Sequence, residues 1–211
     1  MRAGRSAAAV FVAGGAIIAA STVSAHRLDE CLQAARIAVE PERIELEMSL
    51  TPGVDVADAI IGEIDRDGDR SFSTREQQAF ATRVLASLDL NHDSRPVDLA
   101  GGPATFPDVD ALRRGEGTIH LRSTAAVPAQ VEGQHQVSFR NRYRPDVSVY
   151  LANALVPESN RIAVTAQRRD PSQRALTIDY VMRGAQPASM STWLLSGVAV
   201  ALVLAALLVR R

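Results

Sequence analysis

Ile44, Leu46, Met48 and Leu50 alternate with Glu45, Glu47 and Ser49, a period-2 pattern that predicts a strand with one buried and one wet face. Residues 32–39 form a second strand-like stretch, and Glu40-Pro41-Glu42 between them reads as a hairpin turn. Cys31, Ala35, Ile37 and Val39 share one parity of that stretch, so the cysteine is expected as a small buried hydrophobe. Pro52-Gly53 closes the unit, and the period then changes. Ala57, Ile60, Ile61 and Ile64 recur at helical spacing over Val54–Ile64, with Asp55 and Asp58 in the first turn, where the helix dipole favours acids. Phe80, Val84, Leu85 and Leu88 make one stripe of a second helix over 74–88. Strands return near 96–100, 117–127, 134–143, 147–151, 161–168 and 175–182, punctuated by Gly, Pro and Asn. The predicted class is α+β: a β-rich, antiparallel, sandwich-like domain with a helix–loop–helix inserted after its second strand.

Both ends depart from this pattern. Arg2 and Arg5 precede an apolar, small-residue run over 7–20, followed by Val23-Ser24-Ala25, which predicts a secretory signal peptide over 1–25 and a mature chain from His26. Residues 193–209 are uncharged and apolar, led by Trp193 and closed by Arg210-Arg211. At 1.5 Å per residue this run reaches about 25 Å, enough for one membrane helix over 192–209 behind a short linker at 185–191. Terminal arginines mark the cytoplasmic side and tryptophan the interface. The expected location is the inner membrane, single-pass, with the main domain (26–184) in the periplasm.

Composition narrows the function. Without Arg2, Arg5, Arg210 and Arg211, the chain keeps 19 basic residues against 24 acidic, a formal charge near −5 that does not suit a nucleic-acid binder. Every basic residue is arginine, and the single cysteine excludes an intrachain disulfide. No zinc-protease His-Glu-x-x-His, phosphate-binding Gly-rich loop or serine-hydrolase elbow is present, so no enzyme activity is expected. Asp65-x-Asp67 loosely resembles the nucleophile motif of haloacid-dehalogenase-type phosphatases. That family needs Thr or Val at position 69, a parallel core and usually a downstream lysine, and this chain has none of these.

The candidate chemistry lies between the two helices, in Asp65-Arg66-Asp67-Gly68-Asp69-Arg70-Ser71-Phe72-Ser73-Thr74-Arg75-Glu76. A 12-residue Ca²⁺ loop needs oxygens at positions 1, 3, 5, 7 and 9 and a bidentate Glu at 12, because the ion takes about seven oxygens near 2.4 Å. Asp65, Asp67 and Asp69 fill the first three places. The Ser71 carbonyl, Ser73 and Glu76 fill the others. With its flanking helices the segment resembles the EF-hand family over 54–88, and the resemblance implies Ca²⁺ as the bound ion. Two positions depart from the family: Arg70 stands where the family has glycine in a left-handed turn, and Gln77 follows the closing Glu. The Arg70 departure is expected to weaken binding severalfold or more. In the family the apolar residue at position 8, here Phe72, usually pairs with a second loop. The one candidate, Asp89-Leu90-Asn91-His92-Asp93, has Ala100 at position 12 and Pro96 behind it, and reads instead as a turn into a strand. An unpaired hand of this kind suits the 10⁻⁴ to 10⁻³ M affinities of extracellular modules, with a structural or sensory role for calcium.

Other chemistries fit parts of the chain. A free His26 amine and imidazole could chelate Cu²⁺ with help from His92, His120 or His135, although their spacing does not point to it and His120 suits an ordinary sheet position. Ser138, Arg140, Arg142 and Arg144 share one strand face that could meet acidic lipid headgroups or a membrane-protein partner, or could simply be solvated. Ala25-His26-Arg27-Leu28, the strand pair ending at Thr51-Pro52-Gly53, and Ser148-Val149-Tyr150-Leu151 also look like the exported N-terminal regions that precede HupE/UreJ-type bacterial membrane domains. That likeness, to a family associated with nickel transport, implies at most an accessory role beside a membrane protein. With the His26 copper reading it gives the alternative to calcium binding, a periplasmic accessory protein that handles copper or nickel. The polytopic membrane part of that family is missing from this sequence.

Overall fold

Alternation of buried and wet positions yields ten strands and three helices in a computed structural model that describes residues 28–184. The expected signal peptide, linker, membrane helix and His26 lie outside the described residues. Among the described residues, no helix is long and apolar enough to cross a membrane.

Strands β1 (Cys31–Val39) and β2 (Arg43–Pro52) form the expected hairpin, in register from Cys31 opposite Pro52 to Val39 opposite Ile44. Ile44, Leu46, Met48 and Leu50 all point inward, as their alternation predicts, and Cys31 is fully buried. Helices α1 (Val54–Ile64) and α2 (Thr74–Ala86) follow. The chain then runs through β3 (Leu88–His92), β4 (Arg95–Pro96), β5 (Ala100–Thr105), α3 (Val109–Arg113), β6 (Ile119–Ala126), β7 (Gly133–Asn141), β8 (Ser148–Ala154), β9 (Ile162–Arg169) and β10 (Ala175–Met182).

The strands form two five-stranded sheets, ordered β5-β6-β2-β1-β8 and β4-β3-β7-β10-β9. One buried cluster draws Ile37, Leu46 and Leu121 from the first sheet and Val137, Phe139 and Ile178 from the second, which is the arrangement of a β-sandwich. A polar link crosses this core. Gln33 on β1 accepts from the Asn141 side chain at 2.7 Å and donates to the Tyr143 carbonyl at 3.0 Å, with both side-chain residues at most 2 % exposed.

Three local expectations are corrected. The sheets are not wholly antiparallel, because β1 pairs with β8 in parallel, Cys31 opposite Ser148. Residues 89–92 are themselves strand, not turn. Leu88, Leu90 and His92 alternate inward against β7, and the turn falls at Asp93-Ser94. The strand expected at 96–100 splits into β4 and β5. Gly101-Gly102 lies inside β5, where a Cβ on Gly102 would sit 2.9 Å from the Arg122 carbonyl oxygen of β6. Finally, α3 is a short helix that periodicity does not reveal. Asp108 caps it by accepting from the Ala111 N–H at 2.7 Å.

Candidate functional site

The helix pair sits where apolar stripes meet the sandwich. Val56, Ala57, Ile60, Ile61 and Ile64 are the buried face of α1, and Phe80 and Val84 that of α2. Phe80 meets Phe106 and Tyr143 edge-on, each with ring centroids 5.9 Å apart. At the last turn of α1, the Glu63 carboxylate accepts from the Tyr143 hydroxyl at 2.8 Å and from Arg144 at 2.5 Å. The Arg83 guanidinium donates to the Glu63 carbonyl at 2.7 Å, tying α2 back to α1. Both ends of the loop therefore start from fixed points.

Between them, the carboxylates organise the backbone. Asp65 accepts from the N–H groups of Gly68 (2.8 Å) and Asp69 (3.1 Å) on one oxygen and of Arg70 (3.0 Å) on the other. Asp69 accepts from the Ser71 N–H at 2.8 Å. Gly68 and Arg70 have φ of 75° and 65°, so Arg70 adopts the left-handed turn for which the EF-hand pattern uses glycine. Ser73 is the N-cap of α2. Its hydroxyl meets the Glu76 N–H and carboxylate, while Glu76 accepts from the Ser73 N–H at 3.1 Å and the Arg66 N–H at 2.7 Å. Ser73-Thr74-Arg75-Glu76 is thus a capping box as well as the end of the loop. The Ser73 hydroxyl first, and the Arg66 amide next, hold the Glu76 carboxyl below the usual range, so it is ionised at neutral pH.

Ligand atoms of Asp65, Asp67 and Glu76 lie within 4.8 Å of one another, the separation a shared cation requires. Asp69 is outside that triple, turned to the Ser71 amide. Ser73 stands beside it, its hydroxyl 2.8 Å from Glu76, and Ser71 follows Arg70 in the loop backbone. Phe72 does not meet a second loop. Its ring packs edge-on against Phe106 at 6.2 Å, and Gln77 donates to its carbonyl at 2.7 Å. The unusual Gln77 therefore braces the loop that an apolar residue would leave unbraced.

Because Arg70 is strained in the folded loop itself, replacing it with glycine should stabilise the protein. Relief of a left-handed L-residue, about 1–2 kcal/mol, exceeds the entropy that glycine adds to the unfolded chain. A net gain of about 0.5–1 kcal/mol is expected, read as a higher Tm with or without added Ca²⁺. A gain confined to the Ca²⁺-treated protein would place the strain in the binding step instead.

The arginine row is partly ion-paired, with Arg140 and Arg142 exposed. Arg142 donates to Asp89 at 2.6 Å and Arg144 is held between Glu63 and Asp146. His120 is an ordinary sheet residue, its Nδ1 3.0 Å from the Ser49 hydroxyl. His92 and His135, by contrast, come together with Asp93, a second group whose ligand atoms lie within 4.8 Å of one another. Sequence spacing gave no sign of it, because 42 residues separate Asp93 from His135. No protein-family model and no curated protein matches this chain.

Proposed function

We propose that this chain is a membrane-anchored, periplasmic calcium-binding protein whose loop at 65–76 takes one Ca²⁺ in a structural or sensory role. The observation that carries the proposal is the convergence of the Asp65, Asp67 and Glu76 carboxylates at the junction of two anchored helices. Three like charges so close favour a divalent cation, and an all-oxygen donor set favours a hard one. The finer assignment, an EF-hand with Asp65, Asp67, Asp69, Ser71, Ser73 and Glu76 as ligands, rests on the loop spacing. The periplasmic, tethered location rests on the sequence of the two ends. The packing of Phe72 on Phe106 gives the loop a route to the sandwich, by which calcium occupancy can be felt by a membrane-protein partner.

The test is a Ca²⁺ titration of the full-length protein by calorimetry, with thermal melts in parallel. Wild type should bind one equivalent and gain about 2.7 kcal/mol of stability at a hundredfold excess over Kd. Glu76→Gln and Asp67→Asn should lose both effects. Neither removes a cap: glutamine keeps the capping box, and asparagine still accepts from the Asp69 N–H. No heat and no shift in Tm up to ~10 mM Ca²⁺, beyond the weak extracellular range, would refute the proposal.

A further inference from the structure

We infer that His92, Asp93 and His135 form a second, independent metal site, suited to a divalent transition metal and to Zn²⁺ above all. The site stands at one end of the second sheet, where β3 turns into β4 alongside β7. His92 is the last residue of β3, opposite Val137, and Asp93 opens the turn. His135 lies two residues before Val137 on β7, opposite Tyr180 of β10. Antiparallel pairing thereby brings both imidazoles to one face. The rings of His92 and His135 stack with centroids 5.7 Å apart, and those of His135 and Tyr180 at 5.5 Å.

The hydrogen bonds around His135 leave one position in need of a cation. Its Nε2 faces the Val131 carbonyl at 2.9 Å, an acceptor only, so Nε2 carries a proton. Its Nδ1 faces a second acceptor, Asp93 Oδ2, at 2.7 Å. A neutral ring cannot satisfy both contacts, so either a second proton or a metal must lie between Nδ1 and the carboxylate. His92 Nε2 is 3.8 Å from the same carboxylate oxygen. In a tetrahedral site with bonds of 2.0–2.1 Å, neighbouring ligand atoms are about 3.3 Å apart. The two observed separations bracket that value, so small side-chain rotations would seat the ion.

The surroundings are those of a supported site. Metal-bound imidazoles commonly donate their other N–H to a backbone carbonyl, as His135 does to Val131. The second oxygen of Asp93 accepts from the Gln136 N–H at 2.9 Å, which fixes the carboxylate. Tyr180 donates to Gln130 at 2.6 Å and its oxygen accepts from His92 Nε2 at 2.7 Å, a hydrogen bond that a metal on Nε2 replaces. Its oxygen can accept from a metal-bound water once His92 carries its proton on Nδ1. Asp93 and His135 line clefts on both sides of the site, so the fourth position is reachable from solvent. The turn that presents Asp93 holds two consecutive non-glycine residues in the left-handed region, Asp93 at φ 48° and Ser94 at 64°. The two-residue hairpin turn between β3 and β4 requires both, and Asp is among the residues that tolerate it. Two imidazoles and one carboxylate suit Zn²⁺, with Cu²⁺ and Ni²⁺ as competitors, and not the oxygen-seeking Ca²⁺.

The test uses full-length protein saturated with Ca²⁺, so that the loop at 65–76 is not free to take up the probe. Co²⁺ is the spectroscopic probe, displaced by Zn²⁺. One equivalent of Co²⁺ should give the intense visible bands of a four- or five-coordinate site, and one equivalent of Zn²⁺ should bleach them. Asp93→Asn and His135→Gln should each weaken Zn²⁺ binding at least tenfold, while His120→Gln and Asp67→Asn leave it unchanged. Asparagine tolerates the left-handed turn, so Asp93→Asn keeps the fold and decides the question even if His135→Gln does not fold. Absence of the bands, or bands that persist in Asp93→Asn, would overturn the assignment. Bands that vanish instead in His26→Gln would also overturn it, by placing the metal at His26.

Discussion

Replacing Phe80 with alanine should cost about 4 kcal/mol of stability, the largest loss expected from a single side chain in the helix pair. Phe80 is fully buried and stands at the centre of an aromatic group. It meets Phe106 at an interplanar angle of 75° and Tyr143 at 89°, edge-to-face pairings worth about 0.5–1.5 kcal/mol each beyond area burial. The Arg83 guanidinium lies 6.0 Å from the Phe80 ring centroid, a further small contribution. Truncation therefore removes the transfer term, leaves a cavity between α2 and the sandwich, and frees Phe106, on which Phe72 of the loop also rests. Urea unfolding should show the loss as a lower midpoint with little change in slope. Because the N-terminus of α2 carries Glu76, calorimetry should also record weaker Ca²⁺ binding. A cost below about 1.5 kcal/mol would mean that the aromatic group does not seat the helix pair.

Asn141→Leu should cost about 3 kcal/mol for a different reason. The Asn141 amide sits in the core at 2 % exposure and serves both sheets. Its nitrogen donates to Gln33 and its oxygen accepts from the Tyr143 N–H at 2.9 Å. Gln33 in turn donates to the Ser148 hydroxyl at 2.6 Å, at the start of the strand that pairs in parallel with β1. A leucine fills similar space but orphans a buried amide and a buried carbonyl oxygen, each at about 1–3 kcal/mol. The same logic predicts non-additivity. Combined with Gln33→Met, the total should fall short of the sum of the single losses by about 1 kcal/mol, since both disrupt one network. Additive losses, or a single loss below about 1 kcal/mol, would show that this link between the sheets contributes little.

The candidate loop at 65–76 was legible because everything it needs is local. Six donor residues lie within one turn and the start of one helix, so spacing alone brings Asp65, Asp67 and Glu76 near a centre. Even there the local pattern was incomplete. The capping box of Ser73 and Glu76 is written in the sequence as Ser-x-x-Glu, but its double use emerges only from the hydrogen bonds. Gln77 reads as a defect in the pattern, and its bond to the Phe72 carbonyl shows what it does.

By itself the sequence determined the β-rich class, the hairpin of β1 and β2, the helix–loop–helix after it, and the buried state of Cys31. These follow from alternation and periodicity, which report whether each side chain faces water or core within one element. Only the tertiary structure decided which strands are neighbours. It placed β8 parallel to β1, made residues 88–92 a strand, set Gln33 against Asn141 across 108 positions, and brought His135 to His92 and Asp93. Strand partners are chosen by hydrogen-bond ladders and packing between segments far apart in the chain, and local periodicity carries no record of that choice. Side chains that converge within one loop can therefore be read along the chain, whereas those that meet from different strands become visible only once the register is known.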